Sequence, residues 1–390
     1  MSDRLTDGDP HPPVSEEKAI TILPAIEPVV TTVTIGVDTH KDLHVAVALD
    51  TVGRRLAERT TPATAAGYQQ LYHWAEELGD VEAFGVEGTG SYGAGLARYL
   101  RQRGSRVIEV NRPDRSTRHR KGKSDPIDAE AAARSVLAGT ATATPKGGGD
   151  DQVEIIRMIK LTRDSAVKAQ TQAVNQLKAV LVTAPDELRE SLASLGLVTL
   201  LNRCAAFRPG ELTTPLSAAK HSLRLLARRA LALRQEAREL REHLERLTAV
   251  AAPALRELTG IGPDSAAALL LTAGDNPSRL RSEAAFAALC GTNPVPASSG
   301  KITRFRLNRG GDRQANAALH RAIVTRMRWH EPTKDYVARR TAEGKTTPEI
   351  MRCLKRYLAR KIYRALPPAA AASTPDALPA ENHRDVDDAA

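Results

Sequence analysis

Between Thr32 and Gly139 the apolar period switches from two to about 3.6 and back, which limits the fold more than any other feature of the chain. The runs TVTIGVD (32–38) and LHVAVAL (43–49), parted by the short polar THKD, predict a β-hairpin. RRLAERT (54–60) follows the Gly53 turn as a third strand. TAAGYQQLYHWAEELG then has helical spacing, with Leu71, Trp74 and Leu78 on one face. EAFGVEG (82–88) reads as a buried strand, GAGLARYLRQRG as a helix, RVIEV (106–110) as a strand and SDPIDAEAAARSVLAG (124–139) as a helix. The order β-β-β-α-β-α-β-α predicts a mixed sheet with helices packed on it.

From Asp151 to Val250 strand signals vanish. Leu223, Leu226, Ala230, Leu233, Ala237, Leu240, Leu244 and Leu247 recur at alternating spacings of three and four, with Arg and Glu beside them. This is a coiled-coil seam of more than three heptads, and it must be buried against another helix. The partner is either the earlier helix near 153–182 or a second copy of the chain; heptads specify a seam and leave its occupant open. A compact helical region, 251–366, follows. The expected organisation is a disordered leader at 1–30, an α/β domain at 31–145, a helical linker at 150–250, the helical region at 251–366 and a disordered tail at 367–390.

Four acids fall where chemistry can use them. Asp38 ends the first strand, Glu87 ends the fourth, and Asp125 and Asp128 open the last helix of the α/β domain. Asp125 and Asp128 also suit an N-cap and a first helical turn, so that pair alone proves little. Strand one, strand four and the final helix are, however, the places where an RNase H-like fold carries its acids. Brought together, four carboxylates form the hard-oxygen ligand set that Mg²⁺ or Mn²⁺ takes in phosphoryl transfer. GTGSYG (88–93) satisfies a dinucleotide-binding spacing, but Glu87 at its mouth would repel a pyrophosphate.

The formal net charge is +10, which favours a polyanionic partner. Arg112, Arg115, Arg118, Arg120, Lys121 and Lys123 lead directly into Asp125, so nucleic acid held there would lie beside the acids. LTGIGPDSA (258–266) resembles a helix-hairpin-helix turn, in which Gly260 and Gly262 let backbone N–H groups approach a phosphate. Lys301, Arg304, Arg306, Arg309 and Arg313 crowd a third basic stretch around Ser298-Ser299-Gly300. Cys204, Cys290 and Cys353 stand alone without metal spacing, which suits a reducing compartment. Without a signal pattern or a membrane-length apolar run, the expected location is the cytoplasm, with no membrane partner.

Together GVDTHKD, GVEGTGSY, KSDPIDA, LTGIGPDSA and LCGTNPVPASSGKITRFRLNRGGDRQANAALHRA resemble the DEDD insertion-sequence transposases, also called bridge-RNA-guided recombinases, and their Piv-type invertase relatives. The resemblance covers about 33–350 and matches at each acidic and serine position. It implies a RuvC-like domain, a helical linker through which protomers associate, and a C-terminal transposase domain. Asp38, Glu87, Asp125 and Asp128 would be the metal-binding tetrad. Ser299 would attack DNA to form a phosphoserine link, with Ser298 the neighbour that spacing alone does not separate from it. It further implies a composite active site in a dimer or tetramer, donor and target DNA, and a structured noncoding RNA from the element as guide. Two rivals remain: a RuvC-type endonuclease that needs the acids and no serine, and a nonenzymatic nucleic-acid scaffold in which the acids are only helix caps.

Overall fold

A computed structural model describes residues 31–110, 124–146, 152–274, 280–298 and 305–367. The expected leader and all of the tail but its first residue lie outside the described residues, as do Arg112, Arg115, Arg118, Arg120, Lys121, Lys123, Ser299, Lys301 and Arg304.

The first unit contains β1 (Thr32–Thr39), β2 (Leu43–Asp50), β3 (Arg55–Pro62), α1 (Ala65–Leu78), β4 (Asp80–Glu87), α2 (Ala94–Gln102), β5 (Val107–Val110) and α3 (Asp125–Leu137). The strand order is β3-β2-β1-β4-β5. β1 pairs antiparallel with β2 and parallel with β4, and β5 extends the sheet parallel to β4. This is a mixed, RNase H-like sheet. β1 and β2 are buried along nearly their whole length, as their largely apolar and β-branched runs favour. β3 is the exposed edge, and its Arg and Glu side chains blunt that edge against further pairing.

The two sheet faces are covered differently. Val33, Ile35 and Val37 of β1 meet Leu71 and Trp74 of α1 and Leu96 and Leu100 of α2. On the other face lies α3, with Ala129 and Ala133 against Val45, Val47 and Leu49. α3 sits close because Gly36 lets it: a Cβ there would stand 2.0 Å from the carbonyl oxygen of Ala129 and 2.3 Å from the amide nitrogen of Ala133. Gly85 of β4 admits the same helix beside Val136. Glycine on the sheet and an alanine run on the helix are thus two halves of one contact.

Beyond the sheet come α4 (Gln152–Val182), α5 (Asp186–Ala193), α6 (Leu197–Ala205) and α7 (Pro215–Ala251). α4 and α7 pack along one another, so the seam has an intrachain partner. Leu223, Ala230, Ala237 and Leu244 of α7 are buried, whereas Leu226, Leu233, Leu240 and Leu247 are only half-buried. α5 and α6 close the far end around Leu188, Leu192, Leu200 and Leu201.

At the other end, Ile156 and Leu244 join the core of the last helical group. That group comprises α8 (Pro253–Arg256), α9 (Pro263–Ala273), α10 (Glu283–Leu289), α11 (Arg313–Trp329), α12 (Glu331–Ala342) and α13 (Thr347–Ala365). A short hairpin, β6 (Pro294–Pro296) and β7 (Phe305–Leu307), interrupts it where the sequence suggested no strand. Among the described residues, no helix is long and apolar enough to cross a membrane.

Candidate functional site

The acids gather at one end of the sheet. The parallel register places Val37 opposite Val86, so Asp38 and Glu87 follow at neighbouring strand ends. The Thr39 hydroxyl donates to the Glu87 carbonyl oxygen at 2.8 Å and ties those ends together. Side chains alternate along a strand; Asp38 therefore shares the face of Gly36, the face on which α3 lies. The first turn of α3 carries Asp125 and Asp128, with Pro126 after Asp125 preorganising the start of the helix.

His40 stands between Asp38 and Asp125. Its Nε2 stands 3.2 Å from Oδ2 of Asp38 and 3.3 Å from Oδ1 of Asp125. The imidazole is partly exposed, but Nε2 itself is buried and makes no well-aligned hydrogen bond to either carboxylate. One donor atom from each of Asp38, His40 and Asp125 falls within 4.8 Å of the others. Asp38 and Asp128 are buried, whereas Glu87 is half-buried. Burial lifts the Asp38 carboxyl above its ordinary value; the charges of Asp128 and Asp125 push the same way, and His40 opposes them. Carboxylates collected at such a cost, around a buried imidazole nitrogen, fit a divalent cation.

His40 is the residue that sequence reasoning missed. It stands two positions after Asp38 in the turn that joins β1 and β2, where a histidine looks like an ordinary polar turn residue.

The serine stretch is built separately. β6 and β7 pair with Val295 opposite Arg306, and residues 297–304 join them. Ser298 is exposed two residues past β6; Arg306 on β7, Arg309 after it and Arg313 at the start of α11 are exposed as well. The hairpin base is held by amides. Asn308 donates to Oδ1 of Asn293 at 2.8 Å and to the Ala288 carbonyl at 2.9 Å. Asn316 donates to the Cys290 carbonyl at 2.9 Å and accepts from Nζ of Lys355 at 2.9 Å. Burial lowers the Lys355 pKa. Gly311 lies so close to Gly291 that a Cβ would stand 2.2 Å from the Gly291 nitrogen. NRGGD therefore serves the hairpin base as well as the charge of the stretch.

In the turn before α9, Gly260 has φ of +85°, and a Cβ there would meet the Ala322 carbonyl oxygen of α11 at 2.8 Å. Around Gly262, which caps α9, the corresponding space is open. Asp264 accepts from Arg163 at 2.6 Å and Arg321 at 3.2 Å, with Lys160 also 3.2 Å away. These contacts bind the turn to α4 and α11.

Residues 35–184 match the transposase model of the IS110 DEDD type, and residues 252–338 match the model described as the Transposase IS116/IS110/IS902 family. No curated protein matches the chain.

Proposed function

The chain belongs to the IS110 family of transposases, and from that premise we propose that it cuts and rejoins DNA through a metal-binding tetrad and a serine nucleophile. The tetrad is Asp38, Glu87, Asp125 and Asp128, and the nucleophile is Ser299. One observation carries the reading: acids from two strand ends and a crossing helix converge at one end of the sheet, with burial raising the Asp38 carboxyl. Ser124, not Asp125, is the N-cap of α3, and the positive helix end alone suits acids such as Asp125 and Asp128 in its first turn; it does not explain why Asp38 is buried beside them.

A divalent ion held by these acids would stabilise charge on the reacting phosphate and lower the cost of activating a nucleophile. Mg²⁺ and Mn²⁺ both suit carboxylate oxygens. Ser299 Oγ would form its bond to phosphorus as a phosphorus–sugar-oxygen bond breaks. The serine proton would pass to the carboxylate cleft, and the departing sugar oxygen would take up a proton to leave as a hydroxyl. A serine hydroxyl needs such help near neutral pH, and its own stretch holds no histidine. Arg304, Arg306, Arg309 and Arg313 would grip the phosphate, while the basic residues from Arg112 to Lys123 and the turn at Gly260 and Gly262 would hold the flanking backbone. The serine link conserves the phosphodiester, so the strands can be rejoined without an external energy source.

We assign residues 31–145 to the catalytic domain, 150–250 to the linker and 251–366 to the serine-bearing domain. The half-buried Leu233 and Leu240, with Leu161 exposed on α4, support association with a second copy. The family resemblance adds a composite site, in which one protomer's acids meet another's serine. Donor and target DNA are the substrates, and a noncoding RNA encoded by the element is the guide.

Denaturing electrophoresis of the protein with DNA and Mn²⁺ tests the chemistry. A covalent adduct that disappears in Ser299→Ala and in Asp38→Ala is expected. Cleavage that persists in Ser299→Ala would replace the recombinase with an endonuclease. Wild-type behaviour in both variants would leave only a scaffold.

A further inference from the structure

The tetrad reading names only oxygen ligands, yet a nitrogen stands between two of them, Asp38 and Asp125. We propose that His40 Nε2 is itself a metal ligand, and that this makes the cleft select Mn²⁺ over Mg²⁺. The inference rests on the cleft being a metal site, as proposed above.

The distances fit two ligands of one ion. Two ligands at right angles on an ion with bonds of about 2.1–2.3 Å stand about 3.0–3.3 Å apart. The Nε2 separations of 3.2 Å from Asp38 and 3.3 Å from Asp125 match that spacing. An imidazolium bridging two carboxylates would instead aim its N–H at one of them. Nε2 makes no aligned hydrogen bond to either and is buried, which is costly for a polar atom until something coordinates it. The backbone supplies the placement: the His40 amide donates to the Leu43 carbonyl at 3.0 Å, closing the turn directly after Asp38.

Selectivity follows from donor chemistry. Mg²⁺ holds its water tightly and prefers oxygen in a near-ideal octahedron. Imidazole suits first-row transition ions, and Mn²⁺ accepts nitrogen and carboxylate together. A nitrogen among the carboxylates therefore strengthens binding of Mn²⁺ more than of Mg²⁺.

The experiment uses the full chain, with calorimetric titration of Mn²⁺ and Mg²⁺ and pulsed electron paramagnetic resonance of the Mn²⁺ complex. Wild type is expected to bind Mn²⁺ more tightly and to show nitrogen modulation of the echo. His40→Ala is expected to lose that modulation and to weaken Mn²⁺ binding on the order of ten- to a hundredfold, the range typical when metal-site support is lost. Mg²⁺ affinity should move much less. His40→Asp, which restores an oxygen donor at the same place, is expected to bind metal without modulation and with the preference shifted towards Mg²⁺; this variant keeps the question answerable if His40→Ala folds poorly. Mn²⁺ binding that needs Asp38 but shows no nitrogen modulation, or a Mn²⁺-to-Mg²⁺ ratio unchanged in His40→Ala, would overturn the role of His40 and leave the acidic cleft standing. Asp38→Asn binding both ions like wild type would remove the cleft itself.

Discussion

Gly36→Ala probes the contact on which the whole cleft depends. The new methyl would lie 2.0 Å from the Ala129 oxygen and 2.3 Å from the Ala133 nitrogen, both backbone atoms that no rotamer change can remove. An ordinary carbon–oxygen contact is about 3.3 Å or longer, so α3 must retreat by about 1 Å. Overpacking of this kind costs about 1–3 kcal/mol, small enough to leave most of the protein folded. The retreating helix carries Asp125 and Asp128 away from Asp38 and His40, and misplacing a catalytic group by about 1 Å costs roughly a hundredfold in rate. Gly85→Ala should do less, since its methyl would meet the Val136 side chain at 2.7 Å and the Ala132 oxygen at 3.1 Å. Gly196→Ala, whose methyl would meet nothing within 4 Å, is the control. Single-turnover strand cleavage with Mn²⁺, alongside urea denaturation, should rank the losses Gly36→Ala, then Gly85→Ala, then Gly196→Ala near wild type. A folded Gly36→Ala protein that cleaves at the wild-type rate would refute the claim that this glycine sets the spacing of the acids.

Asp38→Asn should stabilise the metal-free protein at neutral pH. Burial raises the folded Asp38 pKa above its ordinary value of 3.8, so stability falls as pH rises from that value through the folded one. Urea midpoints of wild type and variant should converge below about pH 3.8, and added Mn²⁺ should favour wild type alone; equal midpoints at pH 7 would contradict the burial argument. Gly260→Ala should lower the thermal midpoint, because it combines φ of +85° with a backbone contact at 2.8 Å. Gly262→Ala should leave the midpoint in place and weaken binding to duplex DNA, read by fluorescence anisotropy; loss of stability without loss of affinity would confine this turn to a packing role.

The sheet unit was readable because each element carries its own period. All five strands and three helices expected between Thr32 and Gly139 form, with boundaries shifted by only a few residues. The β6–β7 hairpin left no such signal: three residues a side, two of them prolines, are too few for alternation to register. The acids could be placed at strand ends and a helix start. Their spacing could not, since it depends on backbone approach at Gly36 and Gly85, and a glycine inside a strand does not reveal which helix crosses it. His40 was hidden for a similar reason, because a turn histidine acquires meaning only when α3 brings Asp125 to its other side. Lys355, which holds Asn316 at the hairpin base, lies far along the chain from the serine stretch and carries no motif of its own.

The seam shows a different kind of limit. Its eight positions form one stripe by spacing, and the stripe could be assigned to either a hairpin or a second chain. Burial divides the stripe in two. Leu223, Ala230, Ala237 and Leu244, each seven residues from the next, are buried, as an intrachain contact with α4 requires. Leu226, Leu233, Leu240 and Leu247 repeat with the same period but remain half-buried. An a/d pattern needs both rows covered for its full stabilisation. The hairpin accounts for one row of the heptad completely and for the other only in part. Leu226 and Leu247 pack against the chain's own cores at the two ends of the linker. The two alternatives are therefore compatible only at Leu233 and Leu240, which a second copy could cover with the first partner already in place.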